Sequence, residues 1–161
     1  YDETNLGGYD TNYKSNPPFR TDIDRRSLIK GVSDGTIDAI VSAHSPQDEE
    51  NKKLEFDKAA FGLLGLQTFW PQLNSLKKDI KLEVLLQKIT DAPRHILNLP
   101  SSPIQEKEIA NLTFFSEKEE WPFNNQTNTS KSTNSPLFNS MQQGKVMAVV
   151  NGIKNYIDPT L

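Results

Sequence analysis

Residues 37–47, Ile-Asp-Ala-Ile-Val-Ser-Ala-His-Ser-Pro-Gln, narrow the choice of fold more than any other stretch of the chain. They begin as a short apolar run rich in β-branched side chains, the pattern of a strand buried on both faces. They end in small polar residues, a histidine and a proline. A step from buried strand to polar loop is where α/β folds place their chemistry, because side chains at the C-terminal ends of the strands converge on one mouth. This loop is poor in reactive groups. It holds His44, one of only two histidines in the chain, no carboxylate before Asp48, and no cysteine.

The flanking pattern supports an α/β reading. Thr21 offers a hydroxyl N-cap, and Asp22 and Asp24 suit the positive end of a helix dipole. Ile23, Leu28, Ile29 and Val32 form an apolar stripe, and Gly35 closes the helix just before the strand at 37–41. A helix feeding a buried strand this tightly is half of a β/α repeat. Residues 48–58 read as a charged surface loop. The run at 59–66 is apolar with two glycines, so backbone approaches something closely there. Helices are expected over about 65–76, with Pro71 as a kink, over 82–89, and from a Thr90 cap through Leu97. Before them, residues 1–18 read as a loop packed through Tyr9, Tyr13 and Phe19. After Pro100 a strand is expected at 110–115, a polar irregular stretch at 121–138, and a hairpin turning at Asn151-Gly152. The residues therefore divide into an α/β part, 1–103, and a small all-β part, 104–161.

Composition excludes several functions. Eighteen Lys and Arg against 21 Asp and Glu leave a net charge of −3, which argues against a nucleic-acid surface. No cysteine means no disulfide and no thiolate metal site. The apolar runs are far short of a membrane span, and no signal peptide is read. The compartment expected is cytoplasmic. The three sequons, at Asn111, Asn125 and Asn128, read as chance matches in an Asn- and Thr-rich chain. Mean hydropathy of −0.62 is low for a self-contained globule of 161 residues. With the opening at Tyr1, it reads as the interior of something longer.

Catalytic constellations are equally scarce. Two histidines cannot build a hydrolytic metal site alone, and no nucleophile–base arrangement can be proposed from so few parts. His95, beside Arg94, reads as a surface or cap residue. His44 reads as hydrogen-bonded structure or as a remnant of function. Asn16, held before two prolines, reads equally as a turn residue or as a ligand donor.

The motifs nonetheless resemble one family. Tyr9-Asp10-Thr11-Asn12-Tyr13-Lys14-Ser15-Asn16-Pro17-Pro18-Phe19-Arg20 is similar to the D-T-N-x-K-x-N-P-P-L-R signature of the long, type I dihydroorotases. Residues 34–40, 56–67, 90–99, 110–115 and 146–152 resemble further stretches of that family in the same order. The resemblance implies the C-terminal part of an amidohydrolase (β/α)8 TIM-type barrel plus a small all-β subdomain. A barrel of this kind takes roughly 250 residues, so the H-x-H and other zinc ligands of the family would lie upstream of Tyr1. Zinc is thus implied only if those ligands are intact, and no metal ligand is expected in this segment.

Carried over residue by residue, the resemblance assigns substrate-binding roles to Asn16, Phe61, Gly62 and Gln47. The family's last catalytic motif, D-H-A-P-H, reads here Ala43-His44-Ser45-Pro46-Gln47. Ala43 stands where the resemblance places the metal-binding, proton-shuttling aspartate. Gln47 stands where it places a histidine that holds the substrate carboxylate. No catalytic residue is therefore expected, and the resemblance implies an inactive or impaired dihydroorotase homologue of pyrimidine synthesis. It further implies an oligomer that scaffolds aspartate carbamoyltransferase, with a dihydroorotate-like molecule as ligand if the pocket persists. The competing expectation is an active, metal-dependent dihydroorotase.

Overall fold

The computed structural model of the protein describes residues 1–159. Five helices come first, α1 (Asp22–Asp34), α2 (Glu49–Lys52), α3 (Phe69–Ser75), α4 (Leu82–Ile89) and α5 (Asp91–Ile96). Three strands follow, β1 (Asn111–Phe123), β2 (Ser140–Asn151) and β3 (Lys154–Ile157), in an antiparallel sheet of order β1-β2-β3. Among the described residues no helix is long and apolar enough to cross a membrane.

α1 starts where its cap chemistry places it. Thr21 Oγ1 accepts from the Asp24 N–H at 3.1 Å, and the Asp24 carboxylate accepts from the Thr21 N–H at 3.1 Å, a reciprocal capping box. Gly35 ends the helix at φ +89°, a left-handed cap that glycine takes without strain. Of the expected stripe, Val32 is buried and Ile29 packs against the core, while Ile23 and Leu28 are exposed. α4 matches its expected span and buries Leu85 completely.

One core gathers Val32, Trp70, Leu73, Ile80 and Leu85, with Phe115 of β1 and Val146 of β2 packed against it. A second joins Leu64 to Trp121 and Phe123 of β1, with Leu137 and Phe138 against them. α3 lies on the sheet: Trp70 Nε1 donates to Ser116 O at 3.0 Å, and Asn74 Nδ2 donates to Glu117 O at 2.9 Å.

Several expectations change. Residues 37–41 are not a strand buried on both faces; they join no ladder, the Ile37 N–H donates to Gly31 O at 2.9 Å and the Ile40 N–H to Lys88 O at 3.0 Å, and one parallel bridge follows from His44 to Leu63. Among the described residues no strand lies alongside to close a ladder. Ile37 and Ile40 pack inward against the first core, but Val41 is 76% exposed. The helix expected from about 65 begins at Phe69; residues 65 and 66 are instead held against the 42–45 segment, their N–H groups donating to His44 Nδ1. Pro71 then falls in the first turn, where its missing N–H would have no helical partner, so it need not kink the helix. The charged loop at 48–58 contains α2 and buries Lys52. Thr90 caps nothing through its hydroxyl, which donates back to Leu86 O at 2.7 Å. β1 runs on through Phe123 because Trp121 and Phe123 are core residues. Asn151 pairs with Lys154, so the hairpin turns at Gly152-Ile153, one residue later than expected.

Candidate functional site

Three loops meet below the second core. The first follows the 3-10 turn Thr11–Tyr13 and carries Lys14, whose side chain is buried. Its Nζ donates to Phe56 O at 2.6 Å and Asp57 O at 2.9 Å, and lies 4.6 Å from the centre of the Phe61 ring. Asn16 stands exposed two residues on, before a cis bond to Pro17. Tyr1, Tyr13 and Phe19 form a ring cluster, whereas Tyr9 meets Phe56 edge-on but is 73% exposed, and Glu3–Gly8 is a 3-10 helix, so the packed loop expected over 1–18 holds at Tyr13 and Phe19 and not at Tyr9.

The second loop is 42–47. Ala43 sits at φ +47°, a left-handed conformation uncommon for any residue but glycine, asparagine or aspartate, and its methyl group faces solvent. His44 Nδ1 accepts from the Gly65 and Leu66 N–H groups, both at 3.2 Å. Ser45 N–H donates to Leu63 O at 2.8 Å. Gln47 Nε2 donates to Ser45 Oγ at 3.1 Å.

The third loop, 56–66, is fitted against the second by its glycines. Gly62 has φ +130°, and a Cβ there would lie 2.6 Å from Ser45 Oγ and 2.8 Å from Ser45 O. A Cβ on Gly65 would lie 2.3 Å from Ser42 O. The close approach expected of this run is therefore an approach to the 42–45 segment. Gly62 N–H donates to Lys14 O at 3.0 Å, and Gly62 O accepts from Lys52 Nζ at 3.2 Å. Lys52 Nζ also donates to Ala60 O at 3.0 Å. Burial, and then the nearby Lys14 ammonium, push the Lys52 pKa down, with Asp10 opposing them.

Of the expected binding residues, Gln47 and Gly62 meet at Ser45, while Phe61, next to Gly62 in the chain and 53% exposed, has its ring beside the Lys14 ammonium. Asn16 lies two residues from Lys14, whose carbonyl accepts from the Gly62 N–H, and among the described residues no hydrogen bond joins the Asn16 side chain to the other three. A depression of about 290 Å³ opens beside Gln47, between α2 and residues 133–139. His44 serves as a backbone acceptor, and His95 lies exposed in the last turn of α5. Lys14, Lys52 and Asn134 also shape the site. Sequence reasoning did not single out Lys14 within its motif, and nothing local marks Lys52 in a charge run or Asn134 in a polar loop.

The donor set here does not fit a zinc ion. Ala43 offers a methyl, Gln47 an amide, and the His44 Nδ1 lone pair faces two backbone N–H groups. Among the described residues no three His, Asp or Glu side chains gather as a metal-holding group.

The fold defines the class. The chain superposes on the L-hydantoinase (dihydropyrimidinase) of Arthrobacter aurescens with a TM-score of 0.86 at 19% identity, covering 98% of this chain and 37% of that one. It superposes on a dihydroorotase from Campylobacter jejuni with a TM-score of 0.68 at 14% identity, covering 91% of this chain and 41% of that one. Likeness at such identities is one of fold, a mixed α/β segment shared with about a third or more of each of those chains. Sequence narrows it further. The chain is 40% identical over 156 residues to a dihydroorotase of Carboxydothermus hydrogenoformans, covering 94% of this chain, and 34% identical over 154 residues to one of Bacillus pumilus, covering 93%. It belongs with the dihydroorotases as a homologue of theirs, and it spans about a third of the length of these curated relatives, 36% in both cases. No family model matches the chain.

Proposed function

We propose that this chain forms the C-terminal part of a dihydroorotase-like barrel and its small β-subdomain, and that the active site it helps to line has lost its acid–base group. Residues 1–103 belong to the barrel in this reading, and 104–161 to the subdomain. Asn16, Gln47, Phe61 and Gly62 form the wall of a pocket for a dihydroorotate-like cyclic amide. Gln47 hydrogen-bonds such a ligand without charge. The protein serves pyrimidine synthesis in the cytoplasm as a non-catalytic subunit that scaffolds aspartate carbamoyltransferase.

The observation that carries this reading is the group at position 43. An exposed alanine stands at the turn where the resemblance expects the proton-shuttling aspartate. The hydrogen bonds that fix 43–47 and 61–66 run through backbone, imidazole, amide, hydroxyl and the Lys52 ammonium, with no carboxylate among them. Loss of a positioned general acid–base group lowers rate by ~10²–10⁴-fold.

The test is a turnover assay with dihydroorotate on the protein in its full length, together with metal analysis and co-purification with aspartate carbamoyltransferase. Turnover absent or slowed by that factor, in a protein that co-purifies with the transferase, is the expected result. Metal-dependent hydrolysis at an ordinary enzymatic rate overturns the reading, and failure to co-purify overturns its scaffold clause.

A further inference from the structure

We infer that Asn134, in the loop between β1 and β2, is the positioning residue that sets the distance between the two halves of this pocket wall; as a statement about ligand binding, this rests on the pocket reading above. The side chain is 4% exposed. Its Nδ2 donates to Ser45 O at 3.1 Å and to Gly62 O at 3.0 Å. Its Oδ1 accepts from the Gln47 N–H at 3.2 Å, and its backbone carbonyl accepts from the Leu64 N–H at 2.9 Å. An amide can make both kinds of bond at once. A carboxylate supplies only the acceptor, and a hydroxyl is too short to span both loops.

The partners give these bonds their meaning. Ser45 and Gln47 lie in one loop, and Gly62 and Leu64 in the other. The two loops lie so close that a Cβ on Gly62 would collide with Ser45. Asn134 is anchored in turn by its neighbours in the chain, because Leu137 and Phe138 pack into the second core. Phe61 leaves the Gly62 backbone directly, and Gln47 is held at its own N–H. A shift of either loop therefore moves both side chains relative to each other. Asn134 reaches the reacting region only through these backbones and touches no ligand itself.

Two variants separate its functions. Asn134→Ala removes all three side-chain bonds. Asn134→Asp keeps the acceptor for Gln47 and sets an oxygen against two carbonyls in place of the donor. The experiment, on the full-length protein, pairs residue-resolved amide hydrogen exchange with calorimetric titration of dihydroorotate, and uses Asn128→Ala as a control. Asn128 donates within its own loop, to Ser130 O and Ser132 O.

In Asn134→Ala the Gln47 amide should exchange about 10-fold or more faster, while Leu64, which donates to the backbone of residue 134, changes less. Asn134→Asp should keep Gln47 protected. In both, the loss of buried donors should lower the melting temperature and weaken dihydroorotate binding about 10–100-fold. Asn128→Ala should move neither readout. A wild-type protein that does not bind dihydroorotate removes the pocket reading and leaves the exchange pattern to decide the clamp. Unchanged Gln47 exchange in Asn134→Ala overturns the proposal. So does a wild-type Gln47 amide that already exchanges at the free-peptide rate, a result that needs no variant to fold.

Discussion

Restoring the missing carboxylate is the sharpest perturbation the structure offers. Ala43 already holds φ +47°, a conformation that costs an L-residue ~1–2 kcal/mol and that aspartate tolerates better than alanine because its short side chain bonds locally. The loop around it is fixed through backbone atoms: Ser45 N–H to Leu63 O at 2.8 Å and Gln47 N–H to Asn134 Oδ1 at 3.2 Å. Neither bond involves the residue 43 side chain. Ala43→Asp should therefore leave stability within ~1 kcal/mol of the parent, on the favourable side. In the function proposed above its carboxylate stands where proton transfer is needed, and a positioned acid–base group contributes ~10²–10⁴-fold, or about 3–5 kcal/mol of barrier. Adding Gln47→His replaces a neutral hydrogen bond to the ligand by a charge-assisted one, about another 10-fold in kcat/KM. Ser45 lies between the two positions and is bonded to Gln47 at 3.1 Å, so their effects should not simply add. The assay is initial-rate hydrolysis of dihydroorotate by the full-length protein, with metal content measured on the same sample and stability by urea denaturation. A parent that already matches the double variant refutes the reasoning. So does a double variant that carries zinc and remains inert.

Other perturbations test the frame of the site. Gly65→Ala places a Cβ 2.3 Å from the Ser42 carbonyl, so the loops must part; a loss of ~1–3 kcal/mol is expected in thermal melts, whereas Gly7→Ala, with nothing within 4 Å, should be near neutral. Leu85→Ala empties the centre of the first core and should lower the denaturation free energy by ~2–5 kcal/mol without changing ligand affinity. Lys52 has a folded-state pKa below its unfolded value near ~10.4, chiefly through burial. Between the two values the unfolded chain binds the extra proton, so this residue's contribution to stability rises with pH; it should be absent in Lys52→Met when the two proteins are compared by denaturation across the alkaline range. Asp22 runs the opposite way in origin: its hydrogen bond to Arg25, against some desolvation, holds its pKa below the ordinary carboxylate range. Its support of α1 is complete above the unfolded value near ~3.9 and fades as pH falls through the lowered one, a loss that Asp22→Asn should not show.

The parts of the fold that depend on neighbours in sequence were the legible ones. Thr21, Asp24 and Gly35 fix both ends of α1 through bonds three residues apart or a local backbone angle. Leu82, Leu85, Leu86 and Ile89 mark α4 by period alone. What failed required knowledge of distant partners. The apolar run at 37–41 has the composition of a buried strand, but a strand needs a ladder, and among the described residues only Leu63 bridges to its end. The stretch after Gly65 is held against a histidine twenty-one residues earlier, and the helix opens only at Phe69. Asn134 was invisible for the same reason: its partners lie 72 and 87 residues away, and its neighbours are Ser and Thr that look the same in sequence.

The bonds that shape the wall do not depend on the side chains that would do chemistry in it. Gly62 is fixed by Lys14, Lys52 and Asn134 through its own N–H and C=O. Residues 44 and 45 are fixed by the backbone of 63, 65 and 66. Position 43 takes part in none of these side-chain bonds, and the Gln47 amide adds only one, to Ser45. A carboxylate can therefore be exchanged for a methyl at 43, and a ring for an amide at 47, while the loops keep their spacing. Reactivity and shape are separable here because they reside on different atoms. Substitutions at 43 and 47 should therefore change what the loops can bind or do with little change in how they are held.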